Sequence, residues 1–268
     1  MMKGVMNMQQ KIIGTHTVTD APVQSAYALH AHGYYEILLY LSGEADYSVE
    51  GRRYRLHPGD LMLMRCGEAH HLVLRSPARY ERICIHFEAE LLKKVDPALR
   101  LLEMFNSRPL GTRNQYRADR FPDQKWQFYM EKVTKAQDDL HRLCWLLPLL
   151  EELGACFAQL REDQTAPDGA AAVMTYINGH LSEPLSLDSL CARFHYSKTY
   201  LNDLFRRAAG TTVWQYIVTK RLLAARQRLQ AGEMPTKVAQ LCGFQDYSTF
   251  YRAYRQHFGV SPKEDARK

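Results

Sequence analysis

Two sets of residues in this chain have types and spacings that could do chemistry. The first is His30-x-His32-x-x-x-Glu36, followed later by His70. Imidazoles beside a carboxylate suit a divalent iron, manganese, nickel or zinc ion. The same groups can instead hydrogen-bond to one another inside a folded domain, or to a polar ligand. The second reading is the one adopted, with no metal and no cofactor expected. The other set lies near the opposite end. Lys198, Thr199, Asn202 and Arg206, then Tyr247, Ser248, Tyr251 and Arg252, put basic and hydrogen-bonding side chains on the outer faces of two helices. Such groups grip phosphate and read base edges in the DNA major groove.

Two helix-turn-helix units must position the second set. One reads Leu187 through Phe194, then Ser197 through Arg207, then Gly210. The other reads Pro235 through Phe244, then Asp246 through Arg255, then Phe258 through Pro262. Each has a short helix with apolar residues three to four apart, a tight turn, a capping residue and a longer basic helix. In the second unit Val238, Leu241 and Cys242 form one apolar face. Gly243 falls where the turn needs a positive φ. Asp246 is placed to cap the next helix. Phe250, Tyr254 and Phe258 recur at i, i+4 and i+8 and face the core, leaving Tyr247, Ser248, Tyr251, Arg252 and Arg255 outside. Ser261-Pro262-Lys263-Glu264 is a capping box that starts one more short helix. The recognition helices are expected at Ser197–Ala208 and Tyr247–His257. A long helix around Val213–Leu229 joins the units, so the two readers should lie about one DNA turn, roughly 34 Å, apart.

The first set sits among strands. Tyr35–Leu41, Ala45–Glu50, Arg52–Leu56, Leu61–Arg65, His71–Arg75 and Arg82–Phe87 are short, rich in aliphatic or aromatic residues and separated by turn signals. Glu50-Gly51 suits a tight hairpin, and His57-Pro58-Gly59-Asp60 a turn. Antiparallel strands at this spacing imply a small sandwich or barrel. Such a barrel can enclose one small ligand. His32, Glu36, Tyr47, His70 and His86 are its candidate lining, and their polarity suits a hydroxyl-rich ligand such as a sugar. His71 and His86 read as a strand-face residue and a barrel-interior or surface polar group, not as further metal ligands. Between strands and helix-turn-helix units the periodicity turns helical. Leu140, Leu143, Leu147, Leu150, Gly154 and Phe157 form one stripe, and Leu146, Leu149, Leu153, Cys156 and Leu160 a second. A helix apolar on two faces is buried on two sides. It covers the barrel with one and meets either a second subunit or its own subunit with the other. Pro148 should kink it. Arg161–Ala170 reads as the interdomain linker.

The order Gly243-Phe244, Asp246, Ser248, Phe250, Arg252, Arg255, Gly259, Ser261-Pro262 strongly resembles the AraC/XylS family of bacterial transcription regulators, over about residues 172–265. Trp214 through Ile217, Arg221-Leu222 and Ala225 look like that family's joining helix. The resemblance implies base-facing positions for Thr199, Asn202 and Asp203 in the first unit and for Tyr247, Ser248 and Arg252 in the second. This chain departs from the family at three places. His195 stands where the first turn often has glycine. Asp203 replaces a neutral or basic residue. Asp265-Ala266 replaces the family's Tyr-Arg, so the last helix should end differently. His30, His32, Glu36, Gly43, Pro58-Gly59-Asp60 and His70 resemble the cupin barrel that many of these regulators use as a sensor, over about residues 16–88. The implied partners are double-stranded DNA, a small-molecule effector, a second copy of the chain and RNA polymerase.

Charge is asymmetric. Residues 166–268 hold 14 Lys and Arg against 8 Asp and Glu, whereas residues 1–165 hold 21 of each, so the whole net charge of +6 lies in the helix-turn-helix part. No apolar run is long enough to span a membrane, and Met1–Gln10 lacks an export signal core. Six scattered cysteines fit a reducing cytoplasm better than a disulfide framework or thiolate zinc site. The fold class expected is multidomain α+β. A cupin-like antiparallel β-barrel spans residues 1–110, helices for dimerisation and linkage span 111–165, and an all-α domain with two helix-turn-helix units spans 166–268. The function expected is that of a cytoplasmic, sequence-specific transcription regulator, activator or repressor, modulated by a small molecule, and not an enzyme. The rivals are a metal-dependent cupin enzyme and a regulator whose barrel only dimerises.

Overall fold

The computed structural model describes residues 12–123, 125–160 and 169–266. The segment Arg161–Ala170 therefore lies outside the described residues up to position 168, as does Met1–Gln10. Two compact units account for the chain, one comprising Met1–Tyr27, Tyr34–Val49 and Arg53–Thr165, the other Ala28–Gly33, Glu50–Arg52 and Ala166–Lys268.

The first unit carries eight strands: β1 (Ile12–Thr19), β2 (Tyr35–Ser42), β3 (Ala45–Val49), β4 (Arg52–Arg55), β5 (Leu61–Met64), β6 (His70–Leu74), β7 (Tyr80–Phe87) and β8 (Gln115–Tyr116). They form a five-stranded sheet in the order β1-β7-β2-β5-β8 and a three-stranded sheet in the order β4-β3-β6. The hairpin between β3 and β4 turns at Glu50-Gly51, where both residues have positive φ (50° and 79°), the geometry that suits a two-residue hairpin. Strands β2 to β7 fall where alternation and turn chemistry put them. Strands β1 and β8 had no counterpart in that reading, because β1 mixes the polar, partly or fully exposed Thr15, His16, Thr17 and Thr19 with its apolar residues and β8 is two residues long.

Alternation along the strands builds two cores. Leu38, Tyr40, Met62, Met64, Tyr80 and Cys84 of the large sheet meet Ala45, Tyr47, Val49 and Leu72 of the small one. Residues of the opposite parity (Ile37, Leu39, Leu61, Leu63, Ile83, Ile85) pack against helices. Those helices are α1 (Ala89–Leu92), α2 (Glu103–Asn106), α3 (Trp126–Lys135) and α4 (Asp139–Phe157). Because the large sheet is covered on both faces, β2 reads as a nearly unbroken apolar run. Helix α4 continues through Pro148. Its stripe Leu146, Leu149, Leu153 and Cys156 is fully buried, and so is Leu150. That last residue corrects the two-stripe expectation, since Leu150 belongs to the core face. Of the other stripe, Leu140 is exposed, while Leu143, Leu147 and Phe157 are partly buried.

A buried ion pair ties strand, loop and helix together. Arg108 Nη1 and Nη2 donate to Glu68 Oε1 and Oε2 at 2.7 and 2.9 Å. Gly111 N and Asn114 Nδ2 donate to the same carboxylate. Burial alone would raise the Glu68 carboxyl, but the Arg108 charge and these donors outweigh it and hold it below the usual range. Removing one member of such a pair leaves a buried charge uncompensated, at a cost of about 3–5 kcal/mol.

The second unit is helical: α5 (Gly169–Gly179), α6 (Leu187–Phe194), α7 (Lys198–Ala209), α8 (Val213–Gln230), α9 (Pro235–Leu241), α10 (Tyr247–Phe258) and α11 (Pro262–Asp265). Most starts are capped as the sequence requires. Ser197 Oγ accepts from Tyr200 N at 3.1 Å and Asp246 Oδ1 from Thr249 N at 2.7 Å. Thr212 with Gln215, and Ser261 with Glu264, form capping boxes. Helix α8 is the hub, packing against α7, α9, α10 and α11.

Candidate functional site

In the first unit four of the five candidate effector residues, Glu36, Tyr47, His70 and His86, come together, while His32 belongs to Ala28–Gly33, which groups with the second unit. Glu36 on β2 stands opposite His86 on β7 in the strand register. Its Oε2 lies 3.1 Å from His86 Nε2 and 3.3 Å from His70 Nε2. His70 Nδ1 donates to the Glu68 carbonyl at 2.7 Å, which aims the other ring nitrogen at Glu36. Burial opposes charging of His70, but the hydrogen bond and charge of Glu36 prevail and its pKa is raised. Tyr47 on β3 stacks against His70 with ring centroids 6.0 Å apart. Burial, then the Glu36 charge, hold its hydroxyl in the neutral form. One ligand atom from each of His30, His32, Glu36 and His70 lies within 4.8 Å of the other three. Three imidazoles and a carboxylate at that spacing fit a divalent metal, which would act there as a Lewis acid. His71 points away from this group along β6 and is buried, which pushes its pKa down to about 4.

Sequence reasoning missed four members of this interior. Tyr27, Tyr80, Arg82 and Cys84 share it. Period-two alternation on β7 puts Tyr80, Arg82, Cys84 and His86 on one face, so His86 was the signal that could have found them.

In the second unit, α7 exposes Lys198, Thr199, Asp203 and Arg206, with Asn202 partly covered. Most of these side chains are engaged within the unit. Lys198 Nζ lies 2.5 Å from Asp188 Oδ1, Arg206 Nη1 lies 3.1 Å from Asp203 Oδ1, and Asn202 Nδ2 donates to the Lys198 carbonyl. Helix α10 exposes Tyr247, Ser248, Arg252 and Arg255, with Tyr251 partly covered. Among the described residues Arg252 makes no ion pair. Phe250 and Tyr254 are fully buried and Phe258 partly so. The first helix of this unit buries Val238, Ala239 and Cys242, whereas Leu241 is 39% exposed. That corrects the expected apolar face, which includes Ala239 in place of Leu241. Asp265 is a buried anchor. It accepts from Tyr254 Oη at 2.7 Å and pairs with Arg226 at 2.9 Å.

The turns differ. Gly243 has φ +80°, and a Cβ there would stand 2.4 Å from the Leu181 carbonyl oxygen and 2.8 Å from Arg221 Cζ. Arg221 itself donates to the Leu181 and Glu183 carbonyls. His195 adopts the same left-handed region with φ +55° although it carries a side chain.

An AraC-like ligand binding domain matches residues 18–124, and a helix-turn-helix domain matches residues 190–268. The chain belongs to the AraC family. It is an AraC-type regulator with a ligand-binding domain and a DNA-binding domain. It is 22% identical over 265 residues to the HTH-type transcriptional activator RhaR of Cronobacter sakazakii, covering 92% of this chain and 89% of that one. It is 23% identical over 267 residues to the HTH-type transcriptional activator RhaS of Pectobacterium carotovorum, covering 93% and 91%. Among solved structures, an AraC-type regulator from Chromobacterium violaceum is 30% identical, covers 35% of this chain and 86% of that one, and has a TM-score of 0.34. Among the described residues no helix is long and apolar enough to cross a membrane.

Proposed function

We propose that this chain is a cytoplasmic transcription activator that binds DNA as a homodimer in response to a polar small molecule. Residues 1–110 sense the effector, 111–165 dimerise through the half-covered stripe of α4, and 166–268 bind DNA and meet RNA polymerase. Effector contacts are His32, Glu36, Tyr47, His70 and His86. DNA contacts are Lys198, Thr199, Asn202, Asp203 and Arg206 on α7, and Tyr247, Ser248, Tyr251 and Arg252 on α10. The carrying observation is that α10 buries Phe250 and Tyr254 while presenting Tyr247, Ser248 and Arg252 to solvent. A helix so divided is built to lie in a groove. The activator role is supported by the relatives RhaR and RhaS, both transcriptional activators, and a sugar-like effector by the polar barrel interior.

The test is DNA binding by a 166–268 fragment across a salt series. Affinity should fall linearly on a log–log plot with a slope of about −0.9 per phosphate neutralised. No binding by the fragment at low salt, with binding by residues 1–165, overturns the reading. A second reading, a metal-dependent enzyme, is favoured by the clustering of His30, His32, Glu36 and His70. Stoichiometric metal in the purified protein together with turnover would establish it. The absence of turnover with metal present would leave regulation as the activity.

A further inference from the structure

We infer that the effector carries a carboxylate, and that Arg82 receives it. The inference rests on the sensing role proposed above and names the chemistry of its ligand.

Arg82 is a charge without a counter-charge. It lies on the inner face of β7, paired with Tyr40 in the register of β2 and with Thr17 in that of β1. Its guanidinium carbon stands 5.7 Å from the Tyr27 ring and 5.2 Å from the Tyr80 ring. Its Nε is enclosed and has no hydrogen-bond partner. No Asp or Glu among the described residues forms an ion pair with it. Aromatic faces steady a guanidinium, but they do not replace the anion that a buried charge requires. Tyr80 and Cys84 beside it accept from the guanidinium but bring no negative charge. Arg82 itself remains partly accessible, so an outside molecule can reach it.

A second group sets the rest of the ligand's chemistry. Glu36, held between His70 and His86, lies on the same inner face four residues along from the position opposite Arg82. Both side chains reach towards Cys84, whose thiol interacts with Arg82 and with Glu36, so the two charged ends lie close together. One end therefore accepts an anion in a planar, two-pronged fork. The other accepts hydroxyl protons. A small molecule that carries a carboxylate and hydroxyls satisfies both, which is the chemistry of a sugar acid. A neutral sugar would leave Arg82 as it is.

The experiment is a thermal-shift comparison on the full-length protein with matched pairs: galacturonate against galactose, and gluconate against glucose, at equal ionic strength. At a hundredfold excess over Kd the bound acid should raise the melting temperature by roughly 5–10 °C. The neutral partner should give a much smaller shift. Arg82→Gln should abolish the difference between acid and parent, and Arg82→Lys should retain part of it. Should Arg82→Gln fail to fold by circular dichroism, the wild-type pairs together with Arg82→Lys still decide. Acids that stabilise no more than their parents overturn the inference, as does an acid-specific shift that survives in Arg82→Gln. A neutral-sugar shift that is lost in Glu36→Gln removes the carboxylate and leaves the sensing reading standing. No shift with any of the four compounds overturns the inference for sugar acids, while the DNA-binding test above still judges the regulator reading.

Discussion

The two helix-turn-helix units share one architecture and differ in how much of their reading surface is already occupied. On α7 two of the three cations are spent in local ion pairs, Lys198 with Asp188 and Arg206 with Asp203, while Arg207 reaches, among the described residues, only the Asp203 carbonyl. On α10, Arg252 makes no ion pair among the described residues, and the one acid nearby, Asp246, is committed to capping the helix. An exposed ion pair contributes little to stability, but it lowers the net charge a helix presents to phosphate. The turns repeat the contrast. Gly243 sits where nothing larger fits, whereas His195 holds a left-handed backbone at an exposed position. The second unit is built for tight geometry and an open charge, and the first tolerates strain and screens itself.

The sharpest way to break this comparison is at the turns. Gly243→Ala combines a left-handed backbone with a clash against the Leu181 carbonyl and Arg221. It should cost about 2–5 kcal/mol of stability, read as a shift in urea midpoint. His195→Gly should be neutral or stabilise by up to about 1 kcal/mol. Equal losses at both turns would erase the distinction. Next come the two arginines. Arg252→Ala should cost about 1–3 kcal/mol on the cognate site and relax preference at one base position. Arg206→Ala, already neutralised by Asp203, should cost less than about 1 kcal/mol. If scrambled DNA loses as much as cognate DNA in Arg252→Ala, that residue grips phosphate and reads no base.

Asp203→Asn sharpens the contrast from the other side. It frees Arg206 and removes a negative charge facing phosphate, so it should tighten DNA binding by roughly two- to fivefold and steepen the salt dependence. An unchanged salt slope would mean that α7 does not approach the backbone there. The smallest effect is expected at Arg228 on α8, whose guanidinium is held by Glu233 at 2.9 and 3.1 Å. Arg228→Ala should weaken all sequences slightly and equally, and a cognate-specific loss in competition assays would contradict it.

Much of this was legible in the sequence because the signals were local. The caps at Ser197, Asp246 and Ser261 need only a serine or aspartate three residues before its backbone donor, and all three form. Strands β2 to β7 announce themselves by alternation and by turns such as Glu50-Gly51. The histidine and glutamate positions follow from spacing within one segment plus His70. What stayed hidden depends on partners far apart in the chain. Arg108 finds Glu68 across 40 residues, and no periodicity marks either. Asp265 was visible as a departure from the family pattern, but its bonds to Tyr254 and Arg226 need the packing of α8 and α11. Arg82 lay inside an expected strand. Its inward direction becomes plain only when β7 is registered against β2.

Strand β7 has a further consequence. Its even-numbered residues Arg82, Cys84 and His86 face the polar interior, while Ile83, Ile85 and Phe87 face the helices. The wall between the proposed ligand site and the helical layer is therefore one backbone thick. Close-packed cores respond to displacement by shifting between discrete packings and do not absorb it as a soft solid would. A ligand that draws Arg82 or Glu36 inward by a fraction of an ångström moves Ile83, Ile85 and Ile37 with it. Helix α3, which lies across β1 and β7 and beside α4, receives that movement directly. The chain needs no relay of side chains to carry news of occupancy to its helical layer, because the sheet that holds the message is also the surface on which the helices rest.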